Sequence, residues 1–291
     1  MTNYSHVYAV DLNNRVYPLN CSVYPDNVPI LKTEIDPKQT WIKSIVVRPF
    51  HMTDFLSAMF FVDAWKWRGC NTPDLILPFV PGARQDRLND TGDFLFTAKS
   101  IANMINERQF PQVTVLDPHS EVVAGLIDNC KVVHSDAVLN SYPPLWQASK
   151  NYCAIISPDA GAEKRAARFA KALKLPLVHA WKTRSVTDGS ISGFGHEPFS
   201  VLTTGLSGKK MLIVDDICDG GGTFLGLGDK LAESGIKADL FVTHGIFSKG
   251  RKILTKMFEN VYTTDSIVQS PEQLPGVKII EICEQLTRGN Y

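Results

Sequence analysis

The densest gathering of chemically capable residues is Met211-Leu-Ile-Val-Asp-Asp-Ile-Cys-Asp-Gly-Gly-Gly-Thr-Phe-Leu225. An apolar strand-like run ends in Asp215-Asp216, a glycine turn follows, and Thr223 opens a segment of helical spacing. Ligands of open α/β sheets bind at the carboxyl ends of the strands. Glycines let backbone N–H groups approach an anion, and a helix N-terminus favours its charge. Two adjacent carboxylates can accept hydrogen bonds from the vicinal hydroxyls of a sugar. The run therefore describes a ribose-phosphate site, with Asp215 and Asp216 for the 2- and 3-hydroxyls. Asp219, Gly220, Gly221, Gly222 and Thr223 would hold the 5-phosphate. An acidic pair of receiver type, or a purely structural strand-to-turn junction, is the competing reading.

A second candidate is Pro78-Phe-Val-Pro-Gly-Ala-Arg-Gln-Asp-Arg-Leu88, placed just after a strand-like run at Leu75–Leu77. Arg84 and Arg87, with Gln85 between them, present fixed-charge forked donors suited to a polyphosphate. By spacing alone such a run is more often solvated surface. A third is Lys182–Gly195, rich in glycine and poor in apolar anchors, which reads as a surface loop or a functional lid. His119 follows the run Val113–Leu116 and so falls at a strand end; His244 reads as a turn residue and the other histidines as ordinary.

These residues need elements to hold them. Candidate strands are Ile45–Val47, Leu75–Leu77, Val113–Leu116, Ala154–Ile156, Leu175–Val178, Met211–Val214 and Leu240–Thr243. Helical segments lie between them at Thr53–Arg68, Thr97–Glu107, Gly161–Leu173 and Thr223–Ser234, the last with Gly235 as its stop. In the third, Ala162, Ala166, Phe169 and Leu173 share a face, while Glu163, Lys164, Arg165 and Arg168 are expected to face away. Such alternation predicts an α/β fold of mostly parallel sheets covered by helices. The Pro143-Pro144 step should interrupt helix and strand alike, dividing the chain into residues 1–148 and 149–291.

The 291 residues are 44% apolar and 21% charged, enough to bury a full core in each half. With 30 basic against 30 acidic side chains, broad electrostatic binding of nucleic acid or an anionic membrane is not expected. No apolar run reaches the roughly 18–20 residues that span a bilayer, and the N-terminal residues do not read as a secretory signal. Six scattered cysteines without a Cys-x-x-Cys pair suggest reduced thiols and a cytoplasmic setting.

The 211–225 run resembles the phosphoribosyl pyrophosphate (PRPP) binding motif of type I phosphoribosyltransferases and of PRPP synthetases. Ala83-Arg-Gln-Asp-Arg87 separates the two, because it resembles a mark of the synthetases, the ribose-phosphate pyrophosphokinases. The likeness continues in order through Thr53-Asp54, Thr97–Asn103, Asp117-Pro-His119, Ser157-Pro-Asp-Ala-Gly161, Lys182-Thr-Arg184 and Thr243–Ser248. It implies two similar halves of type I phosphoribosyltransferase-like fold, the first binding ATP and the second the acceptor. The activity implied is transfer of the β,γ-diphosphoryl group of ATP to the anomeric hydroxyl of ribose 5-phosphate, releasing AMP. Lys182, Arg184 and Arg84 would be the catalytic cations. Arg84, Gln85, Arg87 and His119 would bind ATP, while His119 and Asp159 would help hold Mg²⁺. The family also implies a homo-oligomer whose ATP site borrows residues from a neighbour.

Departures from the pattern bear on the substrate. The family's phosphate loop usually carries Thr where this chain has Gly220, which deletes a hydroxyl donor and should open space beside the phosphate. The family's N-terminal adenine-contacting element is echoed only by Tyr24-Pro-Asp-Asn-Val28, leaving Tyr24 to stack and Asp26 retained. Val122 and Ala124 replace glutamines, and the shortened N-terminal segment leaves allosteric control open. The altered loop leaves two acceptors open: ribose 5-phosphate, and ADP-ribose as in phage-type NAD rebuilding, where relatives of the family make ADP-ribose pyrophosphate. A phosphoribosyltransferase and a non-catalytic regulatory relative are the remaining alternatives.

Overall fold

The computed structural model describes residues 6–88, 95–180, 208–267 and 274–289, together with the backbone of 182–184 and 191–194. The chain forms two compact units. One comprises Met1–Val133, Asp265–Gln269 and Ile282–Tyr291, and the other His134–Thr264 and Ser270–Glu281. The boundary between Val133 and His134 precedes the Pro143–Pro144 step.

In the first unit, β1 (Val7–Asp11), β2 (Val16–Pro18), β3 (Asn20–Val23), β4 (Pro29–Lys32) and β5 (Ile42–Val47) come first. They are followed by α1 (Met52–Trp67), β6 (Asp74–Ile76), α2 (Thr97–Asn106), β7 (Val113–Leu116), α3 (Glu121–Leu126) and β8 (Cys130–Val133). A six-stranded sheet runs in the order β2-β1-β5-β6-β7-β8. Strands β5 to β8 are parallel, while β1 pairs antiparallel with both β2 and β5. A separate antiparallel pair, β3 with β4, lies against α1. Helix α1 begins where it does because Asp54 accepts the backbone N–H groups of Phe50 (3.0 Å) and His51 (2.8 Å), with His6 Nδ1 also on the carboxylate. The core gathers Phe55 and Val62 of α1, Ile45 and Leu75 of the sheet, and Ile101 and Ile105 of α2, all buried.

The second unit opens with a short 3-10 turn, α4 (Val138–Ser141) and α5 (Pro143–Ser149). The Pro-Pro step therefore starts a helix rather than breaking one. Proline at the first helical position loses no hydrogen bond, because that N–H would be an orphan in any case. Next come β9 (Tyr152–Ser157), α6 (Glu163–Leu173), β10 (Leu177–His179), β11 (Lys182–Arg184), β12 (Ile191–Phe194) and β13 (Lys210–Cys218). The unit continues with α7 (Gly222–Glu233), β14 (Lys237–Gly245), α8 (Leu254–Met257), β15 (Val261–Thr264) and β16 (Val277–Ile280). Its sheet, ordered β10-β9-β13-β14-β15-β16, is parallel throughout. Strands of this kind carry apolar residues on both faces, and Met211–Val214 of β13 are all fully buried. Gly235, with φ 69°, ends α7 as its position suggested. After β16 the chain returns to the first unit, ending in α9 (Cys283–Arg288).

Lys182–Gly195 is not wholly irregular. Strands β11 and β12 pair antiparallel, with Lys182 opposite Phe194 and Arg184 opposite Ile191. Strand β12 runs beside α7. Residues 185–190 and 195 lie outside the described residues, as do the side chains of Lys182 and Arg184.

Candidate active site

Strands β9 and β13 are parallel neighbours, so the residues beyond their carboxyl ends meet. Asp215 and Asp216, in the carboxyl-terminal half of β13 and past the end of its pairing with β9, are both buried. Two buried carboxylates side by side demand a cation, and Arg165 supplies it. Its Nη1 lies 3.5 Å from Asp215 Oδ1, and its Nη2 lies 3.5 Å from Asp216 Oδ2. The Asp216 N–H donates to Asp215 Oδ1 at 2.8 Å, fixing one carboxylate against its neighbour's backbone. Burial pushes the Asp215 carboxyl well above the ordinary range, and the charge of Asp216 adds to the effect; Arg165 opposes it.

Arg165 therefore corrects the expectation that it faces solvent. It stands three residues after Ala162 and four before Phe169, on the apolar stripe of α6. That spacing was visible in the sequence. What concealed it was residue type, since an arginine on a buried face is readable only once its carboxylate partners are known. Asp159, beyond β9, belongs to the same cluster and its charge further raises Asp215. One Asp159 oxygen accepts the Ala162 N–H at 3.1 Å, which ties the turn to the start of α6.

The glycine turn after β13 also takes the expected form. Gly221 caps α7 with φ 77°, a left-handed conformation that a side chain would strain. Nothing lies within 4 Å of the position a Gly222 side chain would occupy, so the turn is open at that point. At Gly220 it is not open. A Cβ there would lie 3.2 Å from Cδ and 3.4 Å from Cε of Lys249. The space expected beside Gly220 is thus taken by the methylene stem of a lysine from the turn after β14. Ser248, the residue before it, donates its hydroxyl to Asp219 Oδ1. Asp219 is accordingly held by a neighbouring turn, a contact that spacing alone does not reveal. His244, read as a turn residue, lies buried within β14.

In the first unit, Arg84, Gln85 and Arg87 follow β6, and His119 follows the adjacent β7. Gly82 makes the turn, with φ 70° and no room for a side chain: a Cβ would approach Thr97 Cγ2 to 2.4 Å. The Gln85 N–H donates to Gly82 O at 2.9 Å, and the Gln85 carbonyl accepts the Ala98 N–H at 3.1 Å. The Thr97 hydroxyl donates to Gln85 Oε1, leaving the Gln85 amide N–H groups to donate elsewhere. Arg84, Arg87 and His119 are exposed. Tyr24 and Asp26 occupy the turn between β3 and β4, both exposed, and Asp26 accepts the Val28 N–H at 3.2 Å. Among the described residues, no group of three or more His, Cys, Asp or Glu side chains is arranged to hold a metal ion. All six cysteines are free thiols, and no described helix is long and apolar enough to cross a membrane.

Two mostly parallel sheets, the second ending in paired acids and a phosphate-type glycine turn, define the type I phosphoribosyltransferase-like class. Residues 145–272 match the phosphoribosyl transferase domain family model. The ribose-phosphate pyrophosphokinase of Corynebacterium efficiens is 29% identical over 239 residues, covering 80% of this chain and 71% of that protein. That of Chlorobaculum tepidum is 28% identical over 233 residues, covering 79% and 69% respectively. The crystal structure of phosphoribosylpyrophosphate synthetase from Mycobacterium smegmatis shares the fold with a TM-score of 0.77 at 21% identity, over 96% of this chain and 91% of that one. Over about four fifths of its length the chain is thus similar to ribose-phosphate pyrophosphokinases, and it shares the fold of a PRPP synthetase.

Proposed function

We propose that the protein is a diphosphotransferase that moves the β,γ-diphosphoryl group of ATP to the anomeric hydroxyl of a ribose 5-phosphoryl acceptor, releasing AMP. The observation that carries this reading is the Arg165-braced pair Asp215 and Asp216, placed directly before the Asp219–Thr223 turn in a chain similar to ribose-phosphate pyrophosphokinases. Arg165 braces both carboxylates, and the pair is proposed to accept hydrogen bonds from the ribose 2- and 3-hydroxyls. The turn and the N-terminus of α7 offer backbone N–H groups and a favourable dipole to the 5-phosphate.

Arg84 and Arg87 bind the ATP phosphates, with Gln85 set by Thr97 to donate its amide hydrogens. Tyr24 stacks on adenine and Asp26 borders it, in a site shared between copies of the chain in a homo-oligomer. Lys182 and Arg184, on one arm of the β11–β12 hairpin beside α7, neutralise charge developing on the transferring phosphoryl oxygens and on the AMP leaving oxygen. The resemblance assigns His119 and Asp159 to Mg²⁺, a cation that takes few protein ligands and that would supply further charge neutralisation on the diphosphate when bound. No general base is assigned.

Two acceptors suit the site: ribose 5-phosphate, and ADP-ribose, whose first phosphate continues into a second. The open space beside Gly222 leaves room for the longer acceptor. The test is release of AMP from Mg-ATP with each acceptor in turn. AMP with at least one is the expected outcome; AMP with ribose 5-phosphate alone removes the longer substrate. No AMP with either would leave a regulatory relative as the better description.

A further inference from the structure

We infer that Lys249 is an acceptor-binding residue, its ammonium pairing with the acceptor phosphate held at the Asp219–Thr223 turn. The inference deepens the proposed function and rests on it for the nature of the ligand.

The turn that carries Lys249 is anchored to the end of β13. The N–H groups of Ile246 and Phe247 both donate to the Cys218 carbonyl, at 2.9 and 3.0 Å. Gly245 allows this, because a Cβ there would meet the Phe247 ring at 2.2 Å and the Thr263 hydroxyl at 2.7 Å. Phe247, with φ 52°, turns its ring inward, and the Gly250 N–H closes the reversal onto the Phe247 carbonyl at 2.8 Å. Ser248 then fastens the turn to Asp219. Lys249 is left with its stem laid over Gly220 and its charged end one bond beyond Cε, at the rim of the glycine turn.

The placement has an electrostatic cost. Unsatisfied N–H groups make the amino end of α7 a positive pole, where a lysine is disfavoured. Among the described residues no carboxylate pairs with Lys249. A phosphate bound at the turn reverses the sign, because ammonium and helix end then attract the same anion. The absence of a side chain at Gly220 fits that role, because it admits the lysine stem. The donor so placed is charged, and charged hydrogen bonds are roughly twice as strong as neutral ones.

Lys249→Met keeps the stem on Gly220 and removes the charge. The expected result is a rise of about tenfold in acceptor KM, with kcat and ATP KM unchanged and Lys249→Arg close to wild type. Ribose 5-phosphate and ADP-ribose are run in parallel. Equal losses put the ammonium on the first phosphate, and a larger loss with ADP-ribose puts it on the second; both support the inference. Calorimetric titration of each acceptor without ATP reads the same contact independently of turnover. A wild-type protein that binds acceptor but releases no AMP would refute the transfer reaction while leaving Lys249 testable by titration. A Lys249→Met protein that binds both acceptors as tightly as wild type would overturn the inference, and so would a wild-type protein that binds neither.

Discussion

Asp215 carries a carboxyl raised by burial first and by the charge of Asp216 second. Between the ordinary carboxylate value and the raised one, the folded chain holds a proton that the unfolded chain has released. The contribution to stability is therefore greatest in acid and declines as pH rises through that window. Asp215→Asn removes the buried charge. Its thermal midpoint at about pH 8 should exceed that of wild type by about 3 °C, for a gain on the order of 1 kcal/mol, and the gain should vanish toward about pH 4. The same variant should bind ribose 5-phosphate about 10–100-fold more weakly, since a charged hydrogen bond to the sugar is lost. Denaturation scans at the two pH values, with and without acceptor, check both halves; a less stable variant at the higher pH would contradict the assignment of strain to this carboxyl. The pairing of acids with a glycine turn was legible because all its members lie within nine residues of chain. Arg165 was not, because its role depends on a strand that follows it by fifty residues.

Turns set the reach of the first unit's cations. Gly82 has both a left-handed backbone and Thr97 pressed against it, so Gly82→Ala must displace the turn that bears Arg84 and Gln85. A shift of about 1 Å at such donors can weaken their action by up to about 100-fold. The expected signature is a raised ATP KM with acceptor binding unchanged, partly relieved when Thr97→Ser removes the nearest methyl group. An unaltered ATP KM would separate this turn from the nucleotide. The parallel strands at the centre of each sheet were readable as apolar runs, because both of their faces are covered. Strands β1 to β4 were not read, being short, antiparallel or partly exposed, so their alternation carries little signal. The hairpin β11–β12 was hidden for another reason: its strands are rich in polar residues and glycine, the composition expected of a loop.

At the scale of the whole molecule, the first unit is assembled from three stretches of chain. Its last piece is held by Asp265. One carboxylate oxygen accepts the N–H groups of Ile282 and Cys283 at 2.9 and 3.1 Å, and the other meets Arg48 Nη1 at 3.1 Å. Lys43 also reaches the Thr287 carbonyl, at 3.2 Å. Breaking a buried pair strands a charge, so Asp265→Ala should lower stability by about 3–5 kcal/mol. Urea unfolding followed by tryptophan fluorescence would register the loss, and a shift below about 1 kcal/mol would show that the anchor is incidental. This arrangement also bears on birth order. Chains leave the ribosome amino end first, at about 5–20 residues per second, and domains commonly close in that order. Here the residues that complete the first unit emerge only after nearly all of the second. At those rates the earlier-made half waits roughly 7–30 s for its last piece, and the later-made half is the first whose residues are all present.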